Sequence, residues 1–205
     1  MRTSMGAGSP LIVGIGGSTR VGSSSERALH IALDMVRAQG CDVHAIAGPS
    51  LILPPYDPAT VKNIPAAAAI VDVLRRADGI ILSSPGYHGS MSGLIKNVID
   101  YTEEMRDDER SYWEGRAVGC IVCANGHQAI GTTLVAMRSV VHALRGWPTP
   151  YAATILTGAP SAVGADANWL PGLQVVADQV VRFARFGAES RVPTAEVAAA
   201  KHAVA

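Results

Sequence analysis

The chain is poor in the residues that staple small proteins together or carry chains through membranes. Its three cysteines, Cys41, Cys120 and Cys123, are an odd and scattered set. They make no disulfide framework and suit a reducing compartment. No apolar run approaches the ~20 residues needed to cross a bilayer. The stretch from Met1 to Pro10 has no hydrophobic segment of signal-peptide type. A cytoplasmic location and no membrane partner are therefore expected. Charge is also scarce, at 17% of residues, and its 17 basic and 17 acidic groups cancel. Such a balance exerts no long-range pull on nucleic acid, so no nucleic-acid partner is expected. It also argues against an electron carrier, which works through a strongly acidic docking face. The six histidines are scattered without ligand spacing, so no metal is expected.

What the chain does have is apolar bulk, 48% of 205 residues, enough for one domain with a large core. Strand-length apolar runs alternate with stretches of helical period, the pattern of βα units on a parallel sheet. Strands are expected at 11–15, 41–46, 79–83, 117–123 and 151–156. Helices are expected at 24–38, 66–76, 92–104, 132–144 and 171–186. Five such units give an α/β three-layer sandwich with crossovers of one hand. The domain is placed at 10–187, between a flexible tail at 1–9 and a loosely ordered, Ala-rich tail at 188–205.

In open parallel sheets ligands bind beyond the carboxyl ends of the strands, and three loops at those ends have unusual composition. The first, Gly16 to Ser25, joins glycines to Ser18, Thr19, Arg20, Ser23, Ser24 and Ser25 at a helix start. Free N–H groups, hydroxyls and the helix dipole there suit a phosphate. An ordinary Ser-capped helix needs a single hydroxyl, and this loop offers several. It is neither a nucleoside-triphosphate loop, since Ser23 stands where Lys would, nor a dinucleotide fingerprint, since Thr19 holds the third glycine's place. The second loop runs from Ser83 to Gly93 and includes Pro85, Gly86, Tyr87, His88 and Gly89. A tight turn there would present backbone N–H groups and flat side chains to a planar ring. The third, Ala124 to Gly131, includes Asn125, Gly126 and His127, whose donors suit a heterocycle's carbonyls and ring nitrogens.

Gly17-Ser18-Thr19-Arg20 with its serines, and then Ser84 to Asn97 with its Pro-Gly-Tyr and Gly-Leu-Ile-Lys-Asn, resemble the NAD(P)H-dependent FMN reductases over about Leu11 to Gly158. Helix four, with its stretch Met137 to Arg145, is more similar to the sulfonate-system FMN reductases than to the quinone reductases. The resemblance implies a flavodoxin-like fold with strand order 2-1-3-4-5, FMN and NADPH (or NADH) as cofactors, and a homodimer or homotetramer with FMN near the subunit boundary. It places the FMN phosphate on Ser18, Arg20, Ser23 and Ser25, with Ser24 in the same run. Pro85, Gly86, Tyr87 and His88, with Gly89 beside them, would line the ribityl chain and ring. Gly126 with Asn125 and His127 would edge the isoalloxazine. Many members carry Gly-Gly in this third loop, where Asn125-Gly126-His127 stands here, a bulkier set at the ring's pyrimidine end.

Hydride chemistry would belong to the flavin, with the protein supplying position and electrostatics. No catalytic side chain is therefore assigned. Arg20 has a second possible role, on a 2′-phosphate that would favour NADPH. The leading function is an FMN reductase supplying reduced flavin to a monooxygenase. Its alternatives are a reductase of quinones, azo compounds or metal oxyanions with tightly bound FMN, and a non-enzymatic carrier. Two further features stand apart. Cys120 and Cys123 form a C-x-x-C, but period-two geometry puts them on opposite faces of a strand, as buried apolar residues. The charged run Arg106 to Trp113 reads as a solvated loop, or as one whose Tyr112 or Trp113 covers a neighbour's flavin.

Overall fold

A computed structural model describes residues 9–157 and 165–189. Five parallel strands form the sheet: β1 (Leu11–Gly16), β2 (Asp42–Ala47), β3 (Gly79–Tyr87), β5 (Ala117–Ala124) and β6 (Trp147–Leu156). A two-residue strand, β4 (Ser90–Met91), pairs antiparallel with the end of β3. The order is β2-β1-β3-β5-β6, so the expected 2-1-3-4-5 order stands once β4 is set aside. The fold is flavodoxin-like. Five helices cover the faces: α1 (Ser24–Ala38), α2 (Pro65–Arg76), α3 (Gly93–Asp100), α4 (His127–Ala143) and α5 (Leu170–Glu189).

The strands are apolar on both faces because both are covered. Val13, Ile15, Ile80, Leu82, Val118 and Val122 pack with α2, α3 and α4. Their neighbours Ile12, Ile81 and Ile121 point the other way, against α1 and α5. Cys120 and Cys123 follow the same alternation, one in each core, and all three cysteines are buried and free. On the α1/α5 face the helices approach the strands closely because two strand positions lack a side chain. A Cβ at Gly14 would lie 2.7 Å from Leu33 Cδ1, and one at Gly119 would lie 2.6 Å from Val176 Cγ1.

Several boundaries differ from expectation, each for a local reason. β3 continues to Tyr87 because Ser83, Ser84 and Pro85 keep pairing with β5, opposite Ile121, Val122 and Cys123. β6 begins at Trp147, through Pro148 and Pro150. It is an edge strand with a register shift opposite Val118–Cys120, where missing N–H groups are tolerated. α3 gives way at Tyr101 to a 3₁₀ turn through Met105. α4 starts at His127, five residues before the expected position, with Gly126 as its N-cap. α5 runs to Glu189, and Ser9 is described, its hydroxyl donating to Asp42. The rest of the two expected tails, 1–8 and 190–205, lies outside the described residues.

The 106–113 segment does not reach outward through its tryptophan. Trp113 is fully buried in this chain's own core, and its backbone N–H donates to Leu144 O at 3.0 Å. Tyr112 is held back as well, its hydroxyl donating to Glu103 and Arg145 lying over its ring. The flavin-covering role expected of Trp113 is thereby excluded. Asn97 of the Lys-Asn pair performs a structural task. Its Nδ2 donates to Leu53 O and Pro54 O at 3.2 and 2.9 Å, and its Oδ1 accepts from Tyr56 N at 2.9 Å, pinning the proline-rich loop.

Candidate functional site

The site grows out of the β1–α1 turn. Gly17 adopts φ +104°, a conformation that favours glycine, and its N–H donates to Ser83 O at 3.1 Å. Ser23 caps α1, its hydroxyl accepting from Glu26 N at 3.3 Å. Glu26 in turn reaches back to accept from Gly22 N at 2.8 Å, a variant of the capping box. Ser23 and Ser25 are buried despite being polar, with their hydroxyls 3.4 Å apart. Arg27 ties the turn to the segment beyond β6. It donates to Gly22 O, pairs with Asp166 at 2.9 Å and lies over the Trp169 ring. Glu26 and Arg27 are thus engaged. Arg20 is exposed, and among the described residues it has no ion-pair partner.

The second wall is the end of β3. Tyr87 pairs with Ser90 across a two-residue turn in which His88 and Gly89 have φ +50° and +87°. Positive φ at both central positions makes a primed hairpin turn, matched to strand twist. The Ser84 hydroxyl accepts from Ser92 N at 3.0 Å and locks the hairpin base. Tyr87 remains 54% exposed beside the cleft. The third wall comes from the ends of β5 and β6. Thr157 N–H donates to Ala124 O at 2.9 Å, and its hydroxyl donates to Asn125 Oδ1 at 2.7 Å. Burial pushes the Cys123 thiol up to about 12, with Arg27 pulling weakly the other way.

These walls enclose a cleft of about 510 Å³, within the roughly 300–1,000 Å³ usual for small-molecule sites. Its phosphate-like end is lined by Ser18, Thr19, Arg20, Ser23, Ser24 and Ser25. Pro85, Gly86 and Tyr87 form the middle, and Asn125 and Gly126 the far side. His88 and Gly89 sit at the hairpin tip, and His127 is the exposed first residue of α4. None of the three lines the cleft.

Sequence reasoning missed Cys123 and Thr157 as lining residues, and within the third loop it singled out neither Ala124 nor Ala129. Cys123 is a strand-end residue that looked like core alone. Thr157 directly follows the last strand, and the carboxyl-end rule applied to β6 would have found it.

The donor set suits a ligand with an anionic end and a flat, carbonyl-bearing end. Hydroxyls and helix-start N–H groups stand at one end of the cleft, and at the other a Cβ on Gly126 would meet none of the described residues within 4 Å. Among the described residues no cluster of three or more His, Cys, Asp or Glu could hold a metal ion. No helix there is long and apolar enough to cross a membrane.

Known proteins bear on this arrangement. An NAD(P)H-dependent FMN reductase of Pseudomonas aeruginosa is 32% identical over 93 residues, covering 44% of this chain and 48% of the relative. The match thus spans about half of that relative's length. Among solved structures, apo NADH:FMN oxidoreductase superposes with TM-score 0.66 at 20% identity, covering 84% of this chain and 89% of that one. The NAD(P)H:(acceptor) oxidoreductase FerB of Paracoccus denitrificans gives 0.65 at 22%, covering 87% and 98%. At such identities these superpositions speak for the fold. Residues 10–160 match a family pattern that takes in β1 to β6 and all three walls of the cleft, and the chain belongs to the NADPH-dependent FMN reductase family.

Proposed function

We propose that the protein moves hydride from a reduced nicotinamide to FMN held in this cleft, and supplies the reduced flavin to a separate monooxygenase. The carrying observation is the hydroxyl-rich start of α1 sharing one cleft with the flat end of β3 and the amide of Asn125. Ser18, Ser23, Ser24, Ser25 and Arg20 take the phosphate, Pro85, Gly86 and Tyr87 flank the ribityl chain and ring, and Asn125 and Gly126 border the pyrimidine edge. When bound, FMN supplies hydride acceptance at N5 from C4 of the nicotinamide, with a proton from solvent. The chain's own work is alignment and exclusion of water. Ser23 and Ser25 are oriented by the cap, and the Ser84 lock fixes the β3 hairpin that Tyr87 rides on. Among the described residues Arg20 is the one cation lining the phosphate end, and it is exposed. A single exposed cation supports exchangeable rather than permanent flavin.

Tyr87 and, on α4, Val135 at 70% exposure are large apolar groups that a second copy of the chain would cover, in a dimer or tetramer. Three buried free thiols agree with a reducing cytoplasm. The decisive assay is NADPH oxidation by the purified protein with and without added FMN, alongside its visible spectrum. A colourless protein whose rate saturates with FMN upholds the proposal. A yellow protein that reduces a quinone or azo dye without added FMN replaces it with a bound-flavin reductase, and no oxidation under either condition refutes enzymatic turnover.

A further inference from the structure

The third wall carries a polar pair joining two strand ends. The Thr157 hydroxyl donates to Asn125 Oδ1 at 2.7 Å, while the Thr157 backbone N–H donates to Ala124 O at 2.9 Å. Thr157 directly follows Leu156, which is in register with Ala124 on the neighbouring strand. The threonine is therefore fixed by its own backbone before its side chain acts. A planar amide whose oxygen is held in this way has its N–H₂ direction held too. Asn125 Nδ2 has no acceptor among the described residues, and both Asn125 and Thr157 line the cleft. Beside them, a Cβ on Gly126 would meet none of the described residues within 4 Å.

We propose that Thr157 is a positioning residue that holds the Asn125 amide with its N–H₂ offered into the cleft, as the donor to a carbonyl on the pyrimidine edge of the flavin. This rests on the FMN reading above and adds a selectivity to it. Reduction places more negative charge on that edge of the ring, and hydrogen bonds to a charged acceptor are roughly twice as strong as neutral ones. A donor locked in this place therefore favours reduced over oxidised FMN. Without the threonine hydroxyl the amide is free to turn, and the preference falls.

The test is calorimetric titration of the purified protein with oxidised FMN and, anaerobically, with reduced FMN, for wild type, Asn125→Ala, Thr157→Val and Thr157→Ser. Asn125→Ala and Thr157→Val are expected to weaken oxidised FMN by about 5- to 10-fold. The ratio of reduced to oxidised affinity should fall by a further ~3-fold. Thr157→Ser, which keeps the hydroxyl, should retain both values. Thr157→Val is nearly isosteric, and an unchanged melting temperature confirms that it folds. Unchanged FMN binding in both Asn125→Ala and Thr157→Val overturns the inference, as does equal weakening of the two flavin forms, which would mark a packing role. A change confined to the KM for NADPH also overturns it, placing the amide on the nicotinamide. Failure of wild type to bind either flavin form overturns this inference and the FMN reading together, whereas wild-type binding with indifferent variants overturns the inference alone.

Discussion

Replacing Arg20 by Ala separates two roles that the same guanidinium could fill. Arg20 lines the phosphate end of the cleft, where Glu26 already accepts from Gly22 N and Arg27 is already paired with Asp166. A dianionic phosphate there would meet Arg20, several hydroxyls and the N–H groups at the start of α1. Hydrogen bonds to charged groups contribute about 1.5–3 kcal/mol. Arg20 is exposed, so solvent screening brings it just below that range, to about 1.4 kcal/mol or tenfold in affinity. Fluorescence titration with FMN, and with riboflavin as the control lacking phosphate, measures this directly. Arg20→Ala should weaken FMN about tenfold and leave riboflavin unchanged, with the gap narrowing as salt rises. Equal effects on FMN and riboflavin would refute the phosphate role. If the FMN values hold but the preference for NADPH over NADH collapses, Arg20 instead reads the 2′-phosphate of the nicotinamide cofactor.

Gly119→Ala places a methyl 2.6 Å from Val176 Cγ1 and 2.9 Å from Val180 Cγ2. Thermal or urea unfolding should show a loss of about 1–3 kcal/mol, the usual result of overpacking. Asn97→Ala removes three hydrogen bonds to the 53–56 loop, and should cost about 1–3 kcal/mol by the same assay without altering riboflavin binding. The Tyr56 phenol is pushed up to about 12, first by burial and then by its hydrogen bond to Glu104. A folded value above the unfolded one makes its contribution complete below about pH 10 and lost as pH climbs towards 12. Tyr56→Phe should flatten that alkaline decline in melting temperature, and an unchanged decline would count against it. A thiol reagent at neutral pH should find no fast-reacting cysteine in the native protein and three after denaturation, since all are buried. Cys123, raised to about 12 and on the cleft wall, should become still slower when FMN is added.

Much of the architecture was legible in the chain because burial of the sheet on both faces writes itself as short apolar runs. β1, α1 and the β3 core were placed by that signal alone, and so was the opposite-face placement of Cys120 and Cys123. The hydroxyl-rich turn at α1 was legible because composition and position coincide there. The errors fell where long-range pairing overrides local preference. The last strand was expected from Tyr151, yet it begins at Trp147 and runs through Pro148 and Pro150, because an edge strand has a side that needs no N–H donors. Gly126 and Gly131 read as one loop, yet the first caps α4 and the second lies inside it.

By itself, then, the sequence determined the βα alternation, the charge balance and the chemistry of the first loop, since each is a property of residues near one another in the chain. Only the tertiary structure decided that His88 and His127 are not among the residues lining the cleft and that Trp113 is buried. It alone brought Thr157 against Asn125. Those outcomes depend on which strand ends stand side by side, and pairing between strands more than thirty residues apart in the chain leaves no mark on local composition.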